Sequence, residues 1–287
     1  MSTSTSGQAL PEPPATRSRS VLRDWLFPPR PTEPSTVTTR RERRAIVAEL
    51  LIVFAITLGM AGVQSLLSLL DALLRPEGLG EQAVAINSSR STLGLLDLAQ
   101  QLVNILRLFA WGALGAYLLW RGGIALRSVG LRGDRIRGDC AGGAGMAALI
   151  GVPGLGLYLL AHSLGLNLSV QPSTLDDAWW RAPVLVLSAL GNSFAEEMLV
   201  VGYLLTRLRQ LGLRENGALW LSAVVRGSYH LYQGFGGFVG NVVMGLVYGR
   251  VWQRTDRLWA LVVGHALIDV VAFLGYALLR GRVGWLP

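Results

Sequence analysis

The chain has 287 residues, of which 51% are hydrophobic and 15% charged, with a mean hydropathy of +0.43; so apolar a composition excludes an ordinary soluble domain. The formal charge of +8 comes entirely from arginine, with no lysine. Most of these arginines fall in short gaps between apolar runs, a pattern of membrane orientation and not of nucleic-acid binding. The single cysteine, Cys140, rules out an intramolecular disulfide and a cysteine-based metal site.

In chain order, residues 1–44 are rich in Ser, Thr, Pro and Arg and contain no long apolar run. They cannot bury enough surface to offset the entropy of ordering and are expected to form a flexible, basic, cytoplasmic arm. No apolar stretch of signal-peptide type lies near the start, so the first span is expected to act as an uncleaved anchor. Trp25-Leu26-Phe27 reads as linker. Apolar windows near 45–70, 93–120, 140–162, 182–208, 217–231, 238–252 and 258–279 predict an all-α, polytopic transmembrane helical bundle of about seven spans. Residues 45–181 form its amino-terminal helices, and 182–287 the part where polar residues gather.

Arginine placement orients the bundle. Arg40, Arg41, Arg43 and Arg44 precede the first window; Arg121, Arg127, Arg132, Arg135 and Arg137 follow the second; Arg207, Arg209 and Arg214 follow the fourth; Arg250, Arg254 and Arg257 follow the sixth. The alternate gaps are arginine-poor, and only Arg280 and Arg282 oppose the pattern. The expectation is a multi-pass protein of a bacterial-type cell membrane, amino terminus in the cytoplasm and carboxyl terminus outside. Gly236-x3-Gly240 and Gly245-x3-Gly249 predict close helix packing, and Trp179-Trp180 an interfacial belt.

A charge within hydrocarbon costs at least a few kcal/mol, so each ionisable residue inside a span needs a partner or a purpose. Glu49, Asp97 and Arg107 are expected to pair among themselves. The denser set is Glu196, Glu197, Arg226, His230, His265 and Asp269. Arg226 and His230 are four apart, as are His265 and Asp269, so each pair is expected to share one helix face. Glu196 and Glu197, as neighbours, diverge by about 100°, which lets one face a reaction centre and the other a structural partner. Asn192 and Ser193, one turn earlier, are placed to hydrogen-bond Glu196 and Glu197.

These residue types support hydrolysis in two ways. A carboxylate and an imidazole can deprotonate a trapped water while a second His with an Asp stabilises an oxyanion. Alternatively Glu196, His230 and His265 bind a metal such as Zn²⁺, which lowers the pKa of its water. Composition and spacing leave both open, and neither HExxH nor GxSxG is present.

Three segments carry a resemblance. Glu196-Glu197-Met198-Leu199-Val200-Val201-Gly202-Tyr203-Leu204 resembles the EExxxR-G-Y-L motif of the CPBP intramembrane endopeptidases, the family of CAAX prenyl proteases and of bacteriocin-processing, Abi-like proteins. Arg226 to Gly234, with His230, is similar to its FxxxH motif, and Gly264-His265-Ala266-Leu267-Ile268-Asp269 to its HxxxN/D motif. The resemblance implies an endopeptidase that cleaves a membrane-embedded or lipidated peptide in or near the bilayer, with CAAX-type prenyl-protein processing as one form of that activity. It implies Glu196 as general base with His230, and His265 with Asp269 at the oxyanion. Glu197 would be structural, supported by Arg226 and Asn192. A zinc enzyme and a metal-free glutamate mechanism both fit it.

Two positions depart from the family pattern. Val201 stands where the family has the Arg that pairs with the second Glu, and Arg226 stands in place of the Phe of FxxxH. The expectation is an exchange: Arg226 reaches across and neutralises Glu197. The rival class is a catalytically inactive immunity or scaffold protein of the same fold. A proton-coupled transporter would need a polar path to both faces, which the clustered charges do not provide.

Overall fold

The structure is a computed structural model and describes residues 21–26, 36–175 and 177–279. Its elements are α1 (Val21–Leu26), α2 (Arg40–Ile56), α3 (Leu58–Leu74), β1 (Ala83–Asn87), α4 (Gly94–Arg121), α5 (Ile136–Ser163), β2 (Ser169–Ser173), α6 (Arg181–Glu196), a π-helical turn (Glu197–Tyr203), α7 (Leu204–Gln210), α8 (Glu215–Ser228), α9 (Phe235–Thr255) and α10 (Leu258–Leu279). Most of the expected arm lies outside the described residues, as do Arg280 and Arg282. Within the arm, α1 is helical and Arg40–Arg44 already belong to α2, where Thr39 caps the Glu42 amide.

The helical bundle is as expected, and each apolar window lies mostly in helix, the 217–231 window running past the end of α8 at Ser228. The expected count of seven spans is not met by length and composition. Four described helices qualify: α4, α5, the continuous 181–210 helix and α10, or five when the α2–α3 pair, bent by 50°, counts as one. With 14 residues, α8 reaches only about 21 Å, short of the ~30 Å hydrocarbon core. α9 has the length, but its glycines dilute its hydropathy. The sequence reading also missed a small parallel sheet in which Ala83 to Asn87 pair with Ser169 to Ser173.

Helix 181–210 is the axis. All seven residues of its π turn are buried, and Met198, Leu199, Val200, Val201, Tyr203 and Leu205 have no exposed surface. Packed around this helix are α4, α8 and α10, with α5 beyond α10 and α9 against α8. Contacts between α8 and α9 are close because a Cβ on Gly245 would sit 2.9 Å from Ala223 and one on Gly249 2.5 Å from Leu219. By contrast α5 presents Leu149, Val152, Leu155 and Leu160 outward, as a lipid-facing helix does. Trp180 does not join an interfacial belt with the exposed Trp179; it is buried among Val184, Leu185 and Ala189.

Contacts at helix ends gather the arginine clusters on one side. Arg257, between α9 and α10, binds Asp139 at the start of α5 at 2.7 Å and Asp134 at 2.8 Å. Arg207 of α7 reaches the Leu118 carbonyl near the end of α4 and Glu49 of α2, both interactions within 2.9 Å. The amide of Val37 donates to the carbonyl of Gln210. Glu49 thus pairs with Arg207 and with the Tyr203 hydroxyl, not with Arg107, which instead donates to Asn104; Asp97 accepts from the Arg90 amide and Gln101. The two strands, the start of α4 and the end of α5 lie at the other, arginine-poor end.

Candidate active site

Each site residue is placed by a local feature of the chain. Glu196 closes α6 and Glu197 opens the π turn, near the middle of the axial helix. On α8, Ser222 donates to the Val200 carbonyl at 2.7 Å, and one turn later Arg226 donates to Glu197 Oε1 at 2.6 Å. His230 is not on α8 with Arg226, contrary to expectation. The helix stops at Ser228, and His230 sits in the turn that follows. That turn reverses at Gly234, whose φ of 108° only glycine adopts readily. His265 and Asp269 share one face of α10, as their spacing requires.

The two adjacent carboxylates are divided between different partners. Glu196 Oε2 accepts from the Tyr229 hydroxyl at 2.7 Å, lies 3.8 Å from His230 Nε2 and 3.5 Å from Arg226 Nη1. Glu197 Oε1 takes Arg226 Nη2 at 2.6 Å and His265 Nδ1 at 2.8 Å. His265 Nε2 faces Asp269 Oδ2 at 3.7 Å, and that oxygen accepts from Asn192 at 3.1 Å. Asn192 therefore supports Asp269 and not Glu196, and the Ser193 hydroxyl turns back to the Leu190 carbonyl. The six ionisable residues named from sequence form one cluster, buried except for partly exposed His230 and Asp269, and the expected Arg226–Glu197 pair is present with neither side chain exposed.

Sequence reasoning missed Tyr229, which donates to Glu196. A signal existed: a tyrosine beside the motif histidine has a hydroxyl that, once buried, needs a partner, and the carboxylates of the first motif are the acceptors within reach. Also missed were Ser222 and Gln233; the latter lies 3.4 Å from His230 Nδ1 and donates to the Tyr232 hydroxyl.

Four polar atoms in this region are buried without a protein hydrogen-bond partner: Glu197 Oε2, Arg226 Nε, His230 Nε2 and Tyr248 Oη. Buried polar groups are seldom left so, and here they include the imidazole nitrogen that faces Glu196. The residues do not fit a metal. Among the described residues no group of three His, Cys, Asp or Glu side chains is arranged to hold one. His265 engages Glu197 and not Glu196, and the Arg226 guanidinium puts positive charge beside both carboxylates.

Comparison with known families now bears on this cluster. Residues 178–271 match the family described as type II CAAX prenyl endopeptidase Rce1-like. The matched segment covers about a third of the chain. It contains every member of the cluster and agrees with the CPBP resemblance of the three motifs. The matched family is described as one of CAAX prenyl endopeptidases, which supports a CAAX-type endopeptidase at family level. No curated protein and no solved structure matches the chain.

Proposed function

We propose that this chain hydrolyses a peptide bond in or near the bilayer with a water activated by Glu196 and His230. The observation that carries this reading is the approach of Glu196 Oε2 to His230 Nε2, at 3.8 Å. The separation is too long for a direct hydrogen bond and suits one water donating to both. Glu196, steadied by the Tyr229 hydroxyl, takes a proton as the water oxygen attacks the peptide carbonyl carbon. The carbonyl oxygen gains the negative charge. His265, as imidazolium between Glu197 and Asp269, donates from Nε2 to that oxyanion. Collapse of the tetrahedral intermediate breaks the C–N bond, and the proton held by Glu196 and His230 passes to the leaving amine.

In this reading Glu197, Arg226 and Asn192 are positioning residues. Glu197 holds the His265 ring through Nδ1, Arg226 neutralises Glu197, and Asn192 orients Asp269. Membrane-embedded or lipidated peptides, including prenylated ones, are the substrate class that the family supports, and the inward amino terminus follows from the arginine bias.

Purified protein in bilayer nanodiscs, incubated with an internally quenched peptide library, gives the test. Wild type should release fluorescence, and Glu196→Gln should reduce the rate at least 100-fold, the lower range for losing a general base. Equal rates would reject catalysis and leave the scaffold reading.

A further inference from the structure

His230 enters the site from a turn, and its imidazole has little hold of its own there. Nε2 has no protein hydrogen-bond partner and Nδ1 lies 3.4 Å from the Gln233 amide, so the ring goes where the main chain of residues 229–234 puts it. Three parts of the structure fix that main chain. The end of α8 holds it at the His230 amide, which donates to the Gly227 carbonyl at 3.0 Å. Ser65 of α3 donates to the Tyr229 carbonyl at 2.9 Å and accepts from the Tyr232 amide at 3.2 Å. The far side of the turn is held by residues 166–168, in the connection from α5 to β2.

That far side has a capping requirement which its own residues cannot meet. Gly234 immediately precedes α9, at the position where Ser, Thr, Asp or Asn ordinarily turns a side-chain oxygen to the second or third helical amide. Its φ of 108° favours glycine, and glycine has no such oxygen. Asn167 supplies one from a distant part of the chain: its Oδ1 accepts from the Gly236 amide at 2.8 Å and from the Gly237 amide at 3.2 Å. Two N–H groups converge on this atom, which is therefore the amide oxygen and not its nitrogen. The first helical amide, that of Phe235, donates to the Leu166 carbonyl, and the Leu168 amide donates to the Gln233 carbonyl, both at 3.0 Å. Asn167 is buried, so removing its oxygen would leave two amides without an acceptor.

We propose that Asn167 is a positioning residue for His230: by capping α9 it fixes the far side of the turn, and with it the 3.8 Å approach of His230 Nε2 to Glu196 Oε2. This rests on the endopeptidase reading above. Asn167 lies outside the matched residues 178–271, so the segment that carries the cluster depends on the preceding part of the chain to hold one of its histidines. The role needs an acceptor at position 167 and nothing more. Aspartate keeps an oxygen for both amides and caps as well as asparagine, with a charge that a helix amino terminus favours. Leucine keeps the size and removes the acceptor.

Hydrogen–deuterium exchange of the full chain in nanodiscs reads the turn without activity. In peptides spanning residues 229–238, Asn167→Leu should exchange about tenfold faster than wild type, as expected when buried amides lose their acceptor, and Asn167→Asp should stay within about threefold of wild type. Activity is then measured on a prenylated quenched peptide at a temperature where each variant stays folded. Asn167→Leu should lower kcat about tenfold with KM little changed, the pattern of a contact that matters in the transition state, and Asn167→Asp should restore it. Asn87→Ala, which removes a hydrogen bond to the Pro172 carbonyl between the two strands, controls for general loosening and should lower Tm with kcat intact. Unchanged exchange or unchanged kcat in Asn167→Leu would overturn the proposal. So would equal losses in folded Asn167→Asp, or an equal fall of kcat in Asn87→Ala. Asn167→Ala repeats the comparison if the leucine variant does not fold. If wild type cleaves nothing, the endopeptidase reading falls, and the exchange result still decides whether Asn167 holds the turn.

Discussion

Replacing Arg226 by methionine keeps much of the side chain's length and removes its charge. Glu197, fully buried, loses its partner at 2.6 Å, and Glu196 loses the cation at 3.5 Å. Breaking a buried ion pair from one side costs about 3–5 kcal/mol, because the abandoned charge stays out of water. For a chain of this size each kcal/mol lowers Tm by roughly 2–4 °C, so Arg226→Met should melt about 6–20 °C below wild type in detergent. Glu197→Gln should also destabilise, by less, because Glu196 remains beside the guanidinium. The double variant removes both charges and should be more stable than the sum of the singles predicts, by about 1–3 kcal/mol. Activity gives a second readout. Arg226→Phe with Val201→Arg restores the family arrangement, putting the cation one turn after Glu197 on the same helix and filling the vacated volume with a ring. It should recover cleavage lost in Arg226→Phe alone. Additive losses in the cycle, together with failure of that rescue, would refute the reasoning that the charge and not the packing of Arg226 holds the site.

Other expectations are separable by assay. Tyr229→Phe should lower kcat about tenfold and shift the acid limb of the kcat/KM profile, since it removes a donor to Glu196; an unchanged profile would detach Tyr229 from the base. Gly234→Ala should lower both Tm and activity, because its Cβ would lie 2.6 Å from the Leu166 carbonyl at a φ of 108°; circular dichroism melts would show it. Outside the membrane, the hydrogen bond from Arg257 holds Asp134 below the ordinary carboxylate value of 3.8. A depressed folded-state pKa gives stability that is present above the unfolded value and lost as pH falls through the folded one. Melting temperature should therefore drop on acidification below about pH 4, and Asp134→Asn should flatten that part of the curve; a parallel curve would show that Asp134 carries no linkage.

Much of the site was legible because its chemistry depends on short spacings. His265 and Asp269 are one turn apart, and α10 runs unbroken past both, so the i, i+4 rule placed them correctly. Arg226 announced its partner through charge: a buried guanidinium needs a carboxylate, and Val201 had left Glu197 without its family counter-ion. The same rule failed for Arg226 and His230, because α8 ends between them at Ser228, and no proline or capping residue marks that end. Nor could apolar windows separate a crossing helix from a short one, since the 217–231 run is apolar enough but continues into a turn. The β1–β2 pair was hidden for another reason. Each strand is five residues long, and the partners are more than eighty residues apart in sequence, beyond any local pattern.

The π turn begins where the two neighbouring glutamates part to different partners. A turn closed by i→i+5 bonds is wider than an α-helical one, and such turns are frequent at functional sites. Here one carbonyl, that of Val200, is met from outside the helix by Ser222 Oγ at 2.7 Å. That bond and the Arg226–Glu197 pair lie one turn apart on α8 and fix its register against the axial helix at two points. With the register fixed, the end of α8 at Ser228 delivers Tyr229 to Glu196 and brings His230 within 3.8 Å of the same oxygen. Ser222→Ala removes one of the two anchors, a loss of about 0.5–1.5 kcal/mol for one intramolecular hydrogen bond. If the register argument holds, this variant should lower kcat as well as Tm although Ser222 touches neither Glu196 nor His230. A purely local loss, with Tm reduced and kcat intact at a temperature where the protein stays folded, would show that Arg226 alone sets the position of α8.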